Sequence, residues 1–158
     1  MSSSTAVSFA PLPLRLVLGI GFTVHGYPKL LTASGYESFV GMLDGIGVPL
    51  PGLMGWLVAA LELVGGLALI AGALVTIVSV LGSVNMLVAL LAVHLPHGFS
   101  FMNITGQTEQ GPKFGMPGYE VNLLYIAGFL ALAILGGGRY SIDGAVRRLG
   151  EKKRERSG

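Results

Sequence analysis

Apolar residues in this chain fall into four runs, Leu12 to Leu31, Leu53 to Ala73, Leu74 to Leu95 and Tyr119 to Gly137. Each run is about 19 to 22 residues long, so a helix rising ~1.5 Å per residue would cover a hydrocarbon core of ~30 Å. The stretch from Leu53 to Leu95 is continuous and too long for one crossing, and Ala71-Gly72-Ala73 is the natural tight turn between two helices. The pattern predicts an all-α protein: an integral membrane four-helix bundle forming one transmembrane domain over residues 1–158. Arg15, His25 and Lys29 interrupt the first run and no clear small-x-small site follows it, so it reads as a span and not as a cleaved leader.

Two longer segments separate the runs. In the first, Thr32 to Gly52, Ser34-Gly35-Tyr36-Glu37 has the spacing of a capping box. Tyr36, Phe39, Val40 and Leu43 then recur at helical spacing before Gly45. They predict a short interfacial helix in the first outer loop, which shields helix ends or lids a cavity. The second segment, Pro96 to Gly118, is rich in Gly, Pro, Asn, Thr and Gln and reads as a loop.

Composition agrees with immersion in lipid. Of the 158 residues 52% are apolar and 11% are charged, against about 25% charged in an ordinary soluble domain. There is no cysteine, which excludes disulfides, thiol nucleophiles, thiolate metal sites and covalent haem; redox chemistry would need a bound quinone, flavin, haem or partner. The net charge of +2 lies mostly in the tail and is not interleaved with aromatic residues, so no nucleic-acid partner is expected.

Charge also sets an orientation. Arg15, Arg139, Arg147, Arg148, Lys152, Lys153, Arg154 and Arg156 lie on the terminal side, against only Lys29 and Lys113 on the side of the long loops. Because Lys and Arg near span ends are retained in the cytoplasm, both termini are expected there, in the cell inner (plasma) membrane. The basic tail over residues 139–158 is a topology signal, and contact with anionic membrane lipid is a secondary effect of ~1 kcal/mol per basic residue.

Polar residues within the spans carry the candidate chemistry, since a charge at the bilayer centre costs at least ~2.5 kcal/mol. Glu62 lies about nine residues into the second run, ~13 Å deep by helical rise, on a face with Gly55, Ala59, Gly65, Gly66 and Leu69. It serves either as protonated glue between helices or as a ligand, proton or metal group. At ~100° per residue Arg15, Phe22 and Lys29 share a sector of the first span with His25 at its edge. Ser79, Ser83, Met86, Leu90, His94 and His97 form a stripe on the third span, while Asn85 points elsewhere. Glu120 aligns with Leu124, Ala127 and Ala131, and Asn122 and Tyr125 lie on another side. His25, Lys29, His94, His97 and Glu120 thus fall in the outer half with Glu62 below them, predicting a polar pocket that opens outward. His94-x-x-His97 spans a proline and matches no established ligand motif, so no metal site is assigned.

Several of these residues sit in recognisable motifs. Arg15, the Gly21-x-x-x-His25-Gly26 turn, Lys29, Gly45-Ile46-Gly47-Val48-Pro49 and Glu62-Leu63-Val64-Gly65-Gly66-Leu67-x-Leu69-x-x-Gly72 resemble the DoxX family of small four-helix membrane proteins. His94, His97-Gly98 and Phe99, then Gly118-Tyr119-Glu120-Val121-Asn122 and Gly136 to Asp143, resemble its later motifs, so the likeness covers Pro13 to Arg148. It implies a bundle linked to quinone chemistry: members include a subunit of thiosulfate:quinone oxidoreductase, and others are associated with responses to reactive quinones, catechols or oxidative stress. Arg15, His25, Lys29, Glu62, His94 and Glu120 carry over as family-like polar positions.

Three functions are expected on these grounds. In a quinone-linked oxidoreductase subunit, Glu62 would relay protons and His25 or His94 donate them, while Arg15, Lys29, His97 and Glu120 would hold the quinone. Electrons would come from a redox partner protein, because no Gly-x-Gly-x-x-Gly loop joins a strand to a helix. The second is a non-enzymatic membrane scaffold or lipid-binding protein whose buried charges fix helix pairing. The third is a small carrier, for which four short spans leave little room unless the chain forms an oligomer.

Overall fold

Pro11, whose fixed backbone angle suits a first helical turn, opens helix α1 (Pro11–Leu31) in a computed structural model that describes residues 8–156. The outermost residues of the predicted domain and tail, 1–7 and 157–158, lie outside the described residues. Thr32 ends α1 and begins α2 (Ala33–Gly45): its hydroxyl donates to the Pro28 carbonyl at 2.7 Å and accepts from the Gly35 N–H at 3.1 Å. The segment expected to be a short interfacial helix is therefore helical, but its cap is Thr32. Ser34, the expected cap, already lies within the first turn.

Tyr36 ties α2 to the next helix by donating its hydroxyl to the Gly52 carbonyl at 2.9 Å. That helix, α3 (Pro51–Ala71), and α4 (Val75–His97) are each long and apolar enough to cross a membrane. Each contains one wide, π-helical turn, at Leu61–Gly65 in α3 and at Leu90–His94 in α4. Helix α5 (Glu120–Leu135) is apolar but shorter, with 16 residues.

The turn between α3 and α4 falls where the sequence predicts it. Gly72 ends α3 in the left-handed region at φ 75°, and Leu74 follows at φ 51°. A left-handed leucine costs ~1–2 kcal/mol. It is held by Asp143, whose two carboxylate oxygens accept the Leu74 and Val75 N–H groups at 2.9 Å each and so cap the start of α4. Asp143 belongs to α6 (Ile142–Glu155), itself capped by Ser141, whose hydroxyl accepts from the Gly144 N–H at 2.9 Å. Much of the tail, expected as a topology signal with secondary lipid contact, is thus a helix whose start is tied to the α3–α4 turn.

The segment from Pro96 to Gly118, read as a loop, contains a hairpin of β1 (Ile104–Thr108) and β2 (Gly111–Phe114), antiparallel with Thr108 opposite Gly111. Its strands are almost wholly exposed and lack apolar alternation, so no period-2 signal marks them. Among the described residues the other regular elements are helices.

One core is shared by four helices: Leu18 and Phe22 of α1, Leu69 of α3, Val75 and Val78 of α4, and Phe129 and Leu132 of α5. Phe22 meets Phe129 edge to face at 4.7 Å between centroids. Helices α1 and α3 cross at glycines: a Cβ on Gly66 would stand 2.6 Å from Thr23 Oγ1 and 2.8 Å from the Gly19 carbonyl oxygen. Gly26 lies in the same way against the backbone of Glu62 and Leu63. Large apolar side chains, including Val17, Val24, Val64, Val84 and Ile134, face outward while Arg15, Glu62 and Asn122 are buried.

Candidate functional site

The halves of α1, α3, α4 and α5 nearest the long loops enclose a cavity of about 390 Å³. Phe22, His25 and Lys29, spaced three and four apart, reach it from α1; Glu62 reaches it from the middle of α3. Asn85, Met86 and His94 line it from α4, Asn122 and Tyr125 from α5. Phe39 and Met42 of α2, and Ile46 just after it, lie across it, so this helix borders a cavity. Most of the wall is apolar.

The polar feature is an ion pair. Lys29 Nζ donates to both carboxylate oxygens of Glu62, at 2.9 and 2.6 Å, with side-chain exposures of 23% and 5%. Asn85 Nδ2 adds a longer contact of 3.4 Å to the same carboxylate, and Lys29 Nζ lies 4.3 Å from the centre of the Phe39 ring. A buried ion pair is tolerated when partners satisfy it, and Glu62 has two. The close approach of α1 at Gly26 brings Lys29 within reach of Glu62.

On the α5 wall Asn122 is 6% exposed, and its amide has no hydrogen-bond partner among the described residues. Tyr125 stacks on Phe22 with centroids 6.0 Å apart, and its hydroxyl rests against Gly21. His94 Nδ1 lies 2.8 Å from the Pro117 carbonyl oxygen. A carbonyl only accepts, so Nδ1 carries the proton, and in the neutral ring Nε2 is left as an acceptor. His25 lies at the exposed edge of the cavity.

The structure brings together four of the seven candidate residues, His25, Lys29, Glu62 and His94. It corrects the expected place of the others. Arg15 is at the opposite end, 1% exposed, with its guanidinium donating to the carbonyls of Leu69 (3.0 Å), Ile70 (3.1 Å), Gly137 (2.6 Å) and Tyr140 (2.8 Å). Those bonds occupy it as a clamp between α3 and the segment after α5. His97 is exposed beyond the wide turn of α4 and outside the cavity wall. Glu120 is also outside the wall, its Oε2 accepting the Phe101 N–H at 3.0 Å and so fixing the loop that sends Phe101 into the cavity.

Asn85, Asn122 and Tyr125 take their places. All three point elsewhere on straight-helix phasing, yet an amide in an otherwise apolar run is itself a signal for Asn85 and Asn122; Tyr125 carries none. Among the described residues no three His, Asp or Glu side chains converge as metal ligands do.

The residues that build this cavity fall largely within one stretch that matches a known family. DoxX matches residues 10–95, more than half of the chain. The chain belongs to the DoxX family. This DoxX chain is also 35% identical over 88 residues to the Bacillus subtilis (strain 168) protein named "Putative oxidoreductase CatD". That alignment covers 56% of this chain and 62% of CatD, so it spans less than two thirds of that relative's length. No solved structure matches the chain. Lys29, Glu62, Asn85 and His94 lie in the stretch shared with DoxX, whereas Asn122, Tyr125 and all of α6 lie beyond it. Membership makes this a membrane-associated protein.

Proposed function

We propose that this DoxX chain is a four-helix membrane bundle, a single domain, that binds a quinone for an oxidoreductase, with the cavity beside Lys29 and Glu62 as the quinone site. Lipid immersion is supported by the polarity of the apolar helices: side chains such as Ile134, 85% exposed, face outward while Arg15, Glu62 and Asn122 face inward. The bias of basic residues toward the termini supports placing both ends in the cytoplasm, in the inner (plasma) membrane of the cell, with the cavity toward the opposite side.

One observation carries the reading: an apolar cavity of about 390 Å³ has the Lys29–Glu62 pair on one wall and the unpartnered Asn122 amide on another. A quinone head is flat and apolar, with two carbonyl oxygens that need donors, and the volume lies in the range of small-molecule sites, ~300–1,000 Å³. Phe22, Tyr125 and Met86 supply flat or soft apolar wall; Lys29, Asn122 and Tyr125 supply donors. Reduction of a quinone to a quinol takes up two electrons and two protons. The electrons would come from a redox partner protein. His25 at the cavity edge and the Lys29–Glu62 pair would pass protons inward, and His94 Nε2 would accept or return one.

The alternative is a non-enzymatic scaffold or lipid-binding protein, favoured by Arg15, whose buried charge is taken up wholly by the fold. Native mass spectrometry of the protein released gently from its own membranes separates the two. Under the proposal the spectrum shows a retained quinone or a stoichiometric redox partner, and Ala89→Phe, which fills the cavity, loses the quinone. A species carrying only phospholipid, with no binding of added decylubiquinone, would point to the scaffold.

A further inference from the structure

A second cleft, of about 570 Å³, lies at the opposite end of the molecule between the end of α5 and α6. Arg139, Arg147 and Arg148 line it together with Glu151 and Leu135. We propose that it holds the phosphate of an anionic phospholipid, independently of what the other cavity binds.

The three arginines converge because α6 is fixed in place. Asp143 caps α4 with its side chain and donates its own N–H to the Gly72 carbonyl at 3.0 Å, and Ser141 caps α6. Arg148 Nη1 donates to the Arg139 carbonyl at 3.0 Å, which holds its guanidinium over the loop that carries Arg139. Among the described residues none of the three arginines forms an ion pair, so three guanidinium charges face one carboxylate, Glu151. A planar guanidinium binds two phosphate oxygens at once, which suits a fixed anion better than a diffuse cloud of lysines would.

The apolar surroundings select a lipid over free phosphate. Leu135 forms one wall of the cleft and ends an exposed face of α5 that includes Leu124, Leu130 and Ile134, a path for an acyl chain. On α6 itself Ile142, Val146 and Leu149 recur at i, i+4 and i+7 and are all exposed, as in a helix lying in the bilayer interface. Soluble phosphate would engage the arginines and leave both apolar faces uncovered. A diacyl anionic lipid covers them and offsets part of the positive charge of the cleft.

The test uses the full chain in neutral detergent, with lipid retention read by native mass spectrometry during titration with phosphatidylglycerol. Phosphatidylcholine of the same acyl chains and inorganic phosphate are the comparators. We expect Arg147→Gln/Arg148→Gln to weaken phosphatidylglycerol retention about tenfold or more. Lys152→Gln/Arg154→Gln, which removes the same charge outside the cleft, leaves it nearly unchanged. Arg147→Gln alone, at a side chain that makes no hydrogen bond among the described residues, gives an intermediate loss with an unaltered melting temperature. Equal losses in the two double variants would assign the effect to general tail charge and overturn the proposal. So would equal retention of phosphatidylcholine, or displacement of phosphatidylglycerol by millimolar inorganic phosphate, which would make the cleft a soluble-anion site.

Discussion

Lys29 Nζ lies 2.6 and 2.9 Å from the two carboxylate oxygens of Glu62, joining α1 to α3 inside the protein. The two partners are not equivalent, because Glu62 is more deeply buried than Lys29. Lys29→Met strands a buried carboxylate and is expected to cost ~3–5 kcal/mol, whereas Glu62→Gln leaves an ammonium that can turn outward and costs ~1–3 kcal/mol. Lys29→Met/Glu62→Gln, which leaves no buried charge, recovers most of the loss. Thermal unfolding of the detergent-solubilised protein measures this cycle; additive effects in the double variant would show that the pair is not coupled.

Arg15 is predicted to act on stability alone. Arg15→Met leaves the carbonyls of Leu69, Ile70, Gly137 and Tyr140 without their donor and is expected to lower stability by ~3 kcal/mol or more. Decylubiquinone affinity per folded molecule stays at the wild-type value. A specific loss of quinone affinity with the melting temperature intact would return Arg15 to the binding site.

Asn122 should behave in the opposite way. Its amide gives up no internal hydrogen bond when replaced, so Asn122→Leu is expected to leave stability unchanged or raise it by about 1 kcal/mol. Loss of a donor to a quinone oxygen would weaken decylubiquinone binding about tenfold, the equivalent of ~1.4 kcal/mol. Unchanged affinity in an intact variant would remove Asn122 from the site.

Asp143→Ala removes the cap from Leu74 and Val75 and is expected to cost ~1–2 kcal/mol. The effect is local. Hydrogen exchange should rise in residues 139–155 and around the α3–α4 turn, while the segments lining the quinone cavity keep their protection. A uniform rise across the chain would mean that α6 is not a separate unit.

Much of the helical architecture is legible in the sequence. The apolar runs are helices within about two residues of their expected ends, and Gly72 is the turn between the second and third. Glu62 is conspicuous because a lone carboxylate in an apolar run needs a partner, although nothing in the run names Lys29. The hairpin and α6 were not legible as structure. Exposed strands carry no alternation, and the basic residues of α6 mask a helix whose apolar stripe is only three side chains long.

Hydrophobic spacing and charge were enough to establish a helical protein with apolar exteriors, a basic end and a small set of buried polar groups, because burying backbone in lipid or core demands those patterns locally. Which polar groups meet was decided only in three dimensions. Each wide turn closes i→i+5 and rotates the residues after it away from the phase of a straight 3.6-residue helix, and the glycine crossing of α1 on α3 sets how the helices turn toward one another. On α5, which has no wide turn, Asn122 faces the cavity while Glu120 holds a loop, and on α1 Arg15 clamps the far end while Lys29 pairs with Glu62. Rotation and helix order depend on contacts between residues far apart in the chain, and local periodicity carries no information about them.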